Sequence, residues 1–341
     1  MTLARGHSQR MWIECTSVLA LAFCLPALLA GCGGEVAEAS PDLPPAMAVL
    51  PAGSLPLALP RALAASPAGD LAILDDAGRV HVIGEGRGAS FPLPDTRRGS
   101  PGGSPCFSPG RDLLVADTHH HRVLRLDPGS GEVLQTIGEY GNGDGQFIYP
   151  LGVAARRLEG TPDREEIFVS EYGGDDRIQV FDACGRWLRT FGSRGSAEGQ
   201  LDRATCLLFD DEGLLWVSDS CNHRIQVMDG DGRVAHVLDG EGTLRYPFAV
   251  APTRDGKGHR IALVIEYGSS RLTALDAEGR VLRRIDRFTL EGRKVSLLGP
   301  RGLALDREQE LLIADTGNGR VLRVLSPALD LLHGERRPGT P

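Results

Sequence analysis

One short pattern returns six times along the chain and limits what it can fold into. Its clearest copy is LLWVSDSCNHRIQVMDGDGRV, in which a β-branched run ends in Asp219, a short polar turn leads to Arg224, and a second run alternates apolar and polar residues before Asp-Gly punctuation. This is the pattern of an antiparallel hairpin with a buried face. The same frame holds Asp117 to Arg122, Glu171 to Arg177, Glu266 to Arg271, Asp315 to Arg320, and a shortened copy from Asp75 to Arg79. The acidic anchors are separated by 42, 54, 48, 47 and 49 residues, 48 on average.

A strand-rich repeat of that length fits the blades of a β-propeller, and no stretch within the repeats carries a long amphipathic helical period. A second regularity lies upstream of each anchor, in LPRALAAS, SPCFSPG, YPLGVAA, RATCLLF, YPFAVAP and GPRGLAL. Each copy has a small residue (Ala62, Cys106, Gly152, Cys206, Ala249 or Gly302) opening a short apolar strand. Small side chains suit inner strands that crowd an axis. The expected fold is all-β, a six-bladed propeller of four-stranded antiparallel blades, with strands a to d running from the axis outward. Because successive strands alternate in direction, the b–c turns and the connections from d to the next a share one face. That loop face is the expected binding face.

Of 341 residues, 41% are apolar, enough for a packed core, and 44 are Gly, which suits many tight turns. A net charge of −8 argues against a nucleic-acid partner, which requires clustered Lys and Arg.

Ahead of the repeats, Arg5 and Arg10 precede the apolar segment TSVLALAFCLPALLA, which is short for a bilayer span. Leu29-Ala30-Gly31-Cys32 then resembles the lipobox of bacterial lipoproteins. The resemblance implies a signal peptide over residues 1–31, acylation of Cys32, and attachment to a membrane through the lipid alone. The alternative is an ordinary secretory signal with Cys32 incidental. Residues 32–56, rich in Pro, Ala and Gly, read as a flexible tether, residues 57–334 as the propeller, and 335–341 as a tail. For the last outer strand, DLLHG near 330–334 is the expected segment.

The repeats themselves resemble the NHL family of six-bladed propellers. The residues that carry this are Ser218 to Asp229, Arg177 to Asp182, Gly138 to Gly152 (with its G-x-G-x-x-G-Q-F connector and Tyr-Pro-x-Gly-Val-Ala strand) and Ala314 to Arg320. The resemblance covers roughly residues 57 to 333; the first copy has a shortened turn and the fifth has Gly-Ser-Ser where Asn is usual.

Six carboxylates in register suggest a cation-binding ring. Each is followed by an Arg four to six residues later, so the favoured reading is structural: charge-assisted clamps Asp117/Arg122, Glu171/Arg177, Asp219/Arg224, Glu266/Arg271 and Asp315/Arg320, with Asp75/Arg79 as the sixth. His119, His120 and His121 are consecutive turn residues whose side chains diverge, which does not suit one metal. Some propellers resembling this one are metal-dependent enzymes, the peptidyl-hydroxyglycine lyases and the lactonases. Here no inner strand carries a His, so no catalytic residue, metal or cofactor is assigned. Tyr149, Tyr172, His223, Tyr246 and Tyr267 project onto the loop face as candidate ligand contacts. If Asp211-Glu212-Gly213 turns the a–b hairpin of the fourth copy, Cys206 falls opposite Asp219, and a Cys206–Cys221 disulfide becomes feasible.

The expected function is a monomeric, lipid-anchored extracytoplasmic scaffold on the bacterial cell envelope, at the periplasmic face of the outer membrane or the cell surface. It would bind an envelope protein, peptide or glycan without chemistry of its own; the alternative is a metal-dependent propeller enzyme resembling the lyases or lactonases.

Overall fold

The computed structural model describes residues 45–49, 57–84, 87–95, 103–158 and 164–324. The signal segment, Cys32, DLLHG and the C-terminal tail lie outside the described residues. Among the described residues six sheets form the blades, five of them four-stranded and antiparallel in chain order, and a short parallel pair, Glu139–Tyr140 with Gln146–Phe147, lies in the connector between blades two and three. Blade one runs Pro60–Ala65, Leu71–Asp75, Arg79–Gly84, Arg87–Pro92, and blade two Pro105–Phe107, Leu113–Asp117, Arg122–Leu126, Val133–Ile137. Blade three runs Tyr149–Arg157, Glu165–Tyr172, Ile178–Asp182, Trp187–Phe191, and blade four Ala204–Phe209, Leu215–Asp219, Arg224–Met228, Val234–Leu238. Blade five runs Pro247–Arg254, Arg260–Glu266, Arg271–Asp276, Val281–Ile285.

Blade six departs from the expected arrangement. Its first three strands are Gly302–Leu305, Leu311–Asp315 and Arg320–Val324. Its fourth is Pro45–Val49, from the segment expected to be tether, paired antiparallel with Arg320–Val324 from Ala46↔Val324 to Val49↔Val321. A hairpin from the blade five to blade six connection, Arg287–Leu290 with Arg293–Ser296, then pairs parallel to Pro45–Val49 and widens this sheet to six strands. The ring is thus closed by joining the two ends of the repeat region in one sheet. Five residues beginning with Pro give too short a period to stand out within a Pro- and Ala-rich run.

The core lies between blades. Six apolar clusters each fill the space between neighbouring sheets, including the pair formed by blades one and six. Strand b therefore has both faces covered, which is why LLVAD, LWVSD and LLIAD are apolar runs rather than alternating ones, buried at every position. Burying a Leu or Val side chain there contributes about 1.5–3 kcal/mol. Inner strands must stay slim: a Cβ at Gly302 would sit 2.9 Å from Ala314 Cβ and 3.1 Å from Ala62 Cα of the next blade. Blade two differs from the expected alignment, because Ser104, not Cys106, lies at the crowded site. Its hydroxyl reaches Leu151 O of blade three at 3.3 Å.

Candidate functional site

The six anchor carboxylates are 0–2% exposed and sit at the ends of the b strands. Each is saturated with donors. Asp219 accepts from Arg224 Nε at 2.8 Å, Asp202 N at 2.8 Å, Asn222 Nδ2 at 2.9 Å and Gln226 Nε2 at 3.1 Å. Glu171 takes Arg177 Nε at 2.6 Å, Ile148 N at 2.9 Å and Gln179 Nε2 at 3.2 Å. Arg122 Nε meets Asp117 at 2.9 Å, Arg271 Nε meets Glu266 at 2.7 Å, and Arg320 Nε meets Asp315 at 2.8 Å. Blade one differs from the expected pairing: Asp75 faces His81 Nε2 at 3.0 Å, and Arg79 contributes its backbone N–H at 2.9 Å. Burial alone would raise the Asp75 carboxyl, but the His81 ring and the backbone donors hold it below its ordinary value. A carboxylate taken out of water needs these donors, so the residues are turned into their own b–c turns.

The same arginines reach onward. Arg224 donates to Ser196 O, Ala197 O and Gln200 O at 2.7–2.9 Å, and Arg177 to Asn142 O and Gly143 O at 3.0 and 2.9 Å. Gln226 and Gln179 complete the lock by accepting from Gly199 N and Gly145 N and donating to Gln200 O and Gln146 O. Carboxylate, turn and incoming connector thus become one rigid unit, which fixes the loops of this face in blades three and four.

On that frame, side chains from all six blades form a crown at the axis. Tyr149 and Tyr172 of blade three stack at 5.1 Å, with His119 of blade two 6.0 Å from Tyr149. Arg203 of blade four lies 4.8 Å over the Tyr172 ring. Arg301 of blade six lies 5.0 Å over Tyr267 and 5.6 Å over Phe248 of blade five. Arg61 of blade one bonds Asp76 at 2.7 Å, and its guanidinium is lowered to about 10 by burial and by Arg301 beside it. Burial pushes the Tyr172 phenol up, against the pull of Arg203 and Arg61. Burial likewise lowers His119, with Arg61 adding to it. Tyr246 stands further out, exposed, edge-on to His223 at 4.4 Å. Burial, followed by Arg245, lowers the His223 ring. Of the expected contacts, Tyr149, Tyr172 and Tyr267 belong to the crown, whereas His223 and Tyr246 form a separate pair. Arg61, Arg203 and Arg301 escaped the sequence reading; their signal is Pro-Arg or Asp-Arg at the start of an inner strand.

Beside the crown, Asp176 is 3% exposed and its carboxyl is pushed up to about 6 by burial, with Asp202 and Asp219 adding to it. It accepts the Arg203 N–H at 3.0 Å and faces Arg194 Nε at 3.9 Å. The three histidines diverge: His120 meets Asp117, His121 meets the Ile148 carbonyl and His119 meets Tyr149. Among the described residues no three His, Cys, Asp or Glu converge as metal ligands.

A cavity of about 970 Å³ lies below the crown, lined by the outgoing halves of the inner strands and by a–b turn residues such as Asp210, Asp255 and Gln309. It therefore belongs to the face opposite the one expected to bind. Its wall is Leu63, Ala154, Leu207, Val250 and Ala304 with the thiols of Cys106 and Cys206. Burial pushes the Cys106 thiol up to about 12, and raises Cys206 as well. The expected Cys206–Cys221 disulfide is absent. The hairpin pairs Leu207 with Val217, one residue off the expected register, and a bulge between Ala204 and Leu207 shifts the pairing by one more, so that Ala204, not Cys206, lies opposite Asp219. Cys206 packs toward blade five, while Cys221 sits in the turn over Asp202.

The family model that matches is the NHL repeat, over residues 201–228. Protein brain tumor of Drosophila melanogaster is 30% identical over 125 residues, 37% of this chain and 11% of that protein. The E3 ubiquitin-protein ligase NHLRC1 of Homo sapiens is 25% identical over 185 residues, 54% of this chain and 42% of that protein. The chain thus spans less than half the length of either. Among solved structures, virginiamycin B lyase from Staphylococcus aureus overlays with a TM-score of 0.55 at 12% identity, covering 79% of this chain and 97% of that one. A streptogramin B lyase overlays with a TM-score of 0.53 at 12% identity, over 80% and 94% of the two chains. At such identities the likeness is one of fold.

Proposed function

We propose that this chain, an NHL-repeat six-bladed β-propeller, works as a lipid-anchored extracytoplasmic scaffold whose loop face binds a protein or peptide partner without catalysing a reaction. The observation that carries the reading is the crown, where half-buried aromatic rings and guanidiniums from six blades stand on connectors locked by the anchor carboxylates. Rigid aromatic and Arg side chains are the types that dominate binding energy at interfaces, and a fixed frame lowers the entropy cost of using them. Fold likeness to the lyases does not transfer their chemistry. The enzyme reading requires converging ligands or a free acid–base pair; the cavity wall is mainly apolar, and two of its acids are paired with its arginines, Asp211 with Arg254 and Asp210 with Arg260.

Anchoring rests on Leu29-Ala30-Gly31-Cys32. Cys32→Ala is expected to release the protein from membranes into the soluble extracytoplasmic fraction; retention in the membrane would refute lipidation. Binding is tested with a photo-reactive residue at Tyr246 on the loop face and another at Gly213 on the opposite face. A discrete cross-linked partner from position 246 alone supports the reading. Adducts from position 213 alone would move the binding site to the cavity face. One stoichiometric metal ion in protein purified without chelator would favour the enzyme reading instead.

A further inference from the structure

Arg61 and Arg301 occupy equivalent places, each directly before the small residue of an inner strand, in blades that touch at the next position: a Cβ on Gly302 would lie 3.1 Å from Ala62 Cα. Their guanidiniums are neighbours, and one carboxylate, Asp76, is bound to Arg61 at 2.7 Å. Among the described residues Arg301 has no ion pair; it rests against the Tyr267 and Phe248 rings, and its buried Nε–H has no hydrogen-bond partner. A third cation, Arg203, approaches from the far side of the mouth over Tyr172. Like charges held half-buried at one spot repel, and a guanidinium fork with a donor to spare is shaped for a planar oxyanion. Among the described residues Asp76 is the acid paired with Arg61, and Arg301 has none, whereas Arg203 keeps Asp176 and Asp202 beside it.

We infer that the axial crown, with Arg301 and Arg61 as the fork and Tyr172, Tyr267 and Phe248 as walls, is a seat for a carboxylate of an acidic peptide. The inference rests on reading the loop face as the binding face, and supplies the chemistry that face selects. Carboxylate is favoured over the phosphates of a nucleic acid because the seat is a single axial spot on an acidic molecule, without the basic stripe that tracks a phosphate backbone.

The test is calorimetric titration of the full chain in detergent with blocked triglutamate, blocked triglutamine and a single-stranded eight-nucleotide RNA, at low and physiological salt. Triglutamate is expected to bind and triglutamine not. Arg301→Gln and Arg61→Gln should each weaken triglutamate about tenfold, while Arg186→Gln, an exposed arginine paired with Asp182, changes it less than twofold. The melting temperature of Arg301→Gln should hold or rise, because a repelling neighbour is removed. If that variant fails to fold, Arg301→Lys keeps the charge without the fork and should still weaken binding several-fold. Equal binding of triglutamate by wild type and the folded Arg301 variant overturns the seat, as does equal binding of triglutamine. RNA binding tighter than triglutamate at physiological salt, lost in Arg301→Gln, overturns the carboxylate assignment. A partner cross-linked from Tyr246 without triglutamate binding would sink this inference alone; triglutamate binding without any partner would sink the scaffold reading alone.

Discussion

Blades four and six solve the same problem from opposite starting points. Blade four is contiguous, from Ala204 to Leu238, and its anchor Asp219 gathers donors from its own turn, its own strand c and the connector that leads into it. Blade six keeps the same anchor geometry at Asp315, held by Arg320, Asn318 and Leu298 N, yet its sheet is assembled from segments more than 250 residues apart. The difference separates two sources of rigidity. In blade four local chemistry holds the loops, and Leu322 stands in blade six where blade four has the connector-binding Gln226. Blade six also ties its connector locally, through Arg320 and Asn318 to Ser296 O, but its outer edge is held by a long-range strand pairing that joins the two ends of the repeat region.

The largest effect should come from the long-range pairing. Removing Pro45–Val49 takes away the antiparallel partner of Arg320–Val324 and strands the Arg287–Ser296 hairpin. A loss on the order of 5 kcal/mol is expected in urea unfolding, from lost strand hydrogen bonds and buried apolar surface. Unchanged stability would mean that closure is not energetically important.

Next, Asp219→Ala leaves Arg224, Asn222 and Gln226 without their buried acceptor. It should cost about 3–5 kcal/mol. Asp315→Ala, with no glutamine depending on it, should cost about 1 kcal/mol less. Equal losses would show that the glutamine lock adds nothing to blade four.

That lock is isolated by Gln226→Leu, which copies blade six. It is expected to cost about 1–2 kcal/mol and to speed amide exchange over residues 195–201 while leaving blade six protected.

The smallest change is a gain. With its folded pKa raised to about 6, Asp176 holds its proton in the folded state at pH values where the unfolded chain has released it. Its contribution to stability therefore falls as pH rises from about 4 through 6. Asp176→Asn should stabilise by about 1–2 kcal/mol at pH 8, and the advantage should vanish near pH 4. Parallel wild-type and variant curves across that range would show that Asp176 is not strained. The reversed sign sets it apart from Asp75, whose lowered pKa makes its contribution present at neutral pH and lost as pH falls through the acid range.

How far the sequence could be read follows the range of each interaction. The anchor at Asp219 and its partner Arg224 are five residues apart, so their pairing is legible as a motif. In blade one the shortened turn hides the replacement of Arg79 by His81, since both lie within the same few residues and only the side-chain geometry shows which one meets Asp75. The Cys206–Cys221 expectation failed twice over, because the a–b turn sets the register one residue away from the expected one and a bulge shifts everything upstream of it by one more. The Tyr residues were legible as loop-face positions, but not which of them meet at the axis.

The sequence by itself determined the repeat, its strand content, the number of blades and the face on which the anchor turns lie, because these depend on periods and pairings within about fifty residues. Tertiary structure alone decided that Pro45–Val49 completes blade six, that the large cavity belongs to the opposite face, and that Arg61, Arg203 and Arg301 meet at one mouth. Those outcomes depend on closing a ring over the whole chain, which brings into contact residues whose separation in sequence carries no signal of their separation in space.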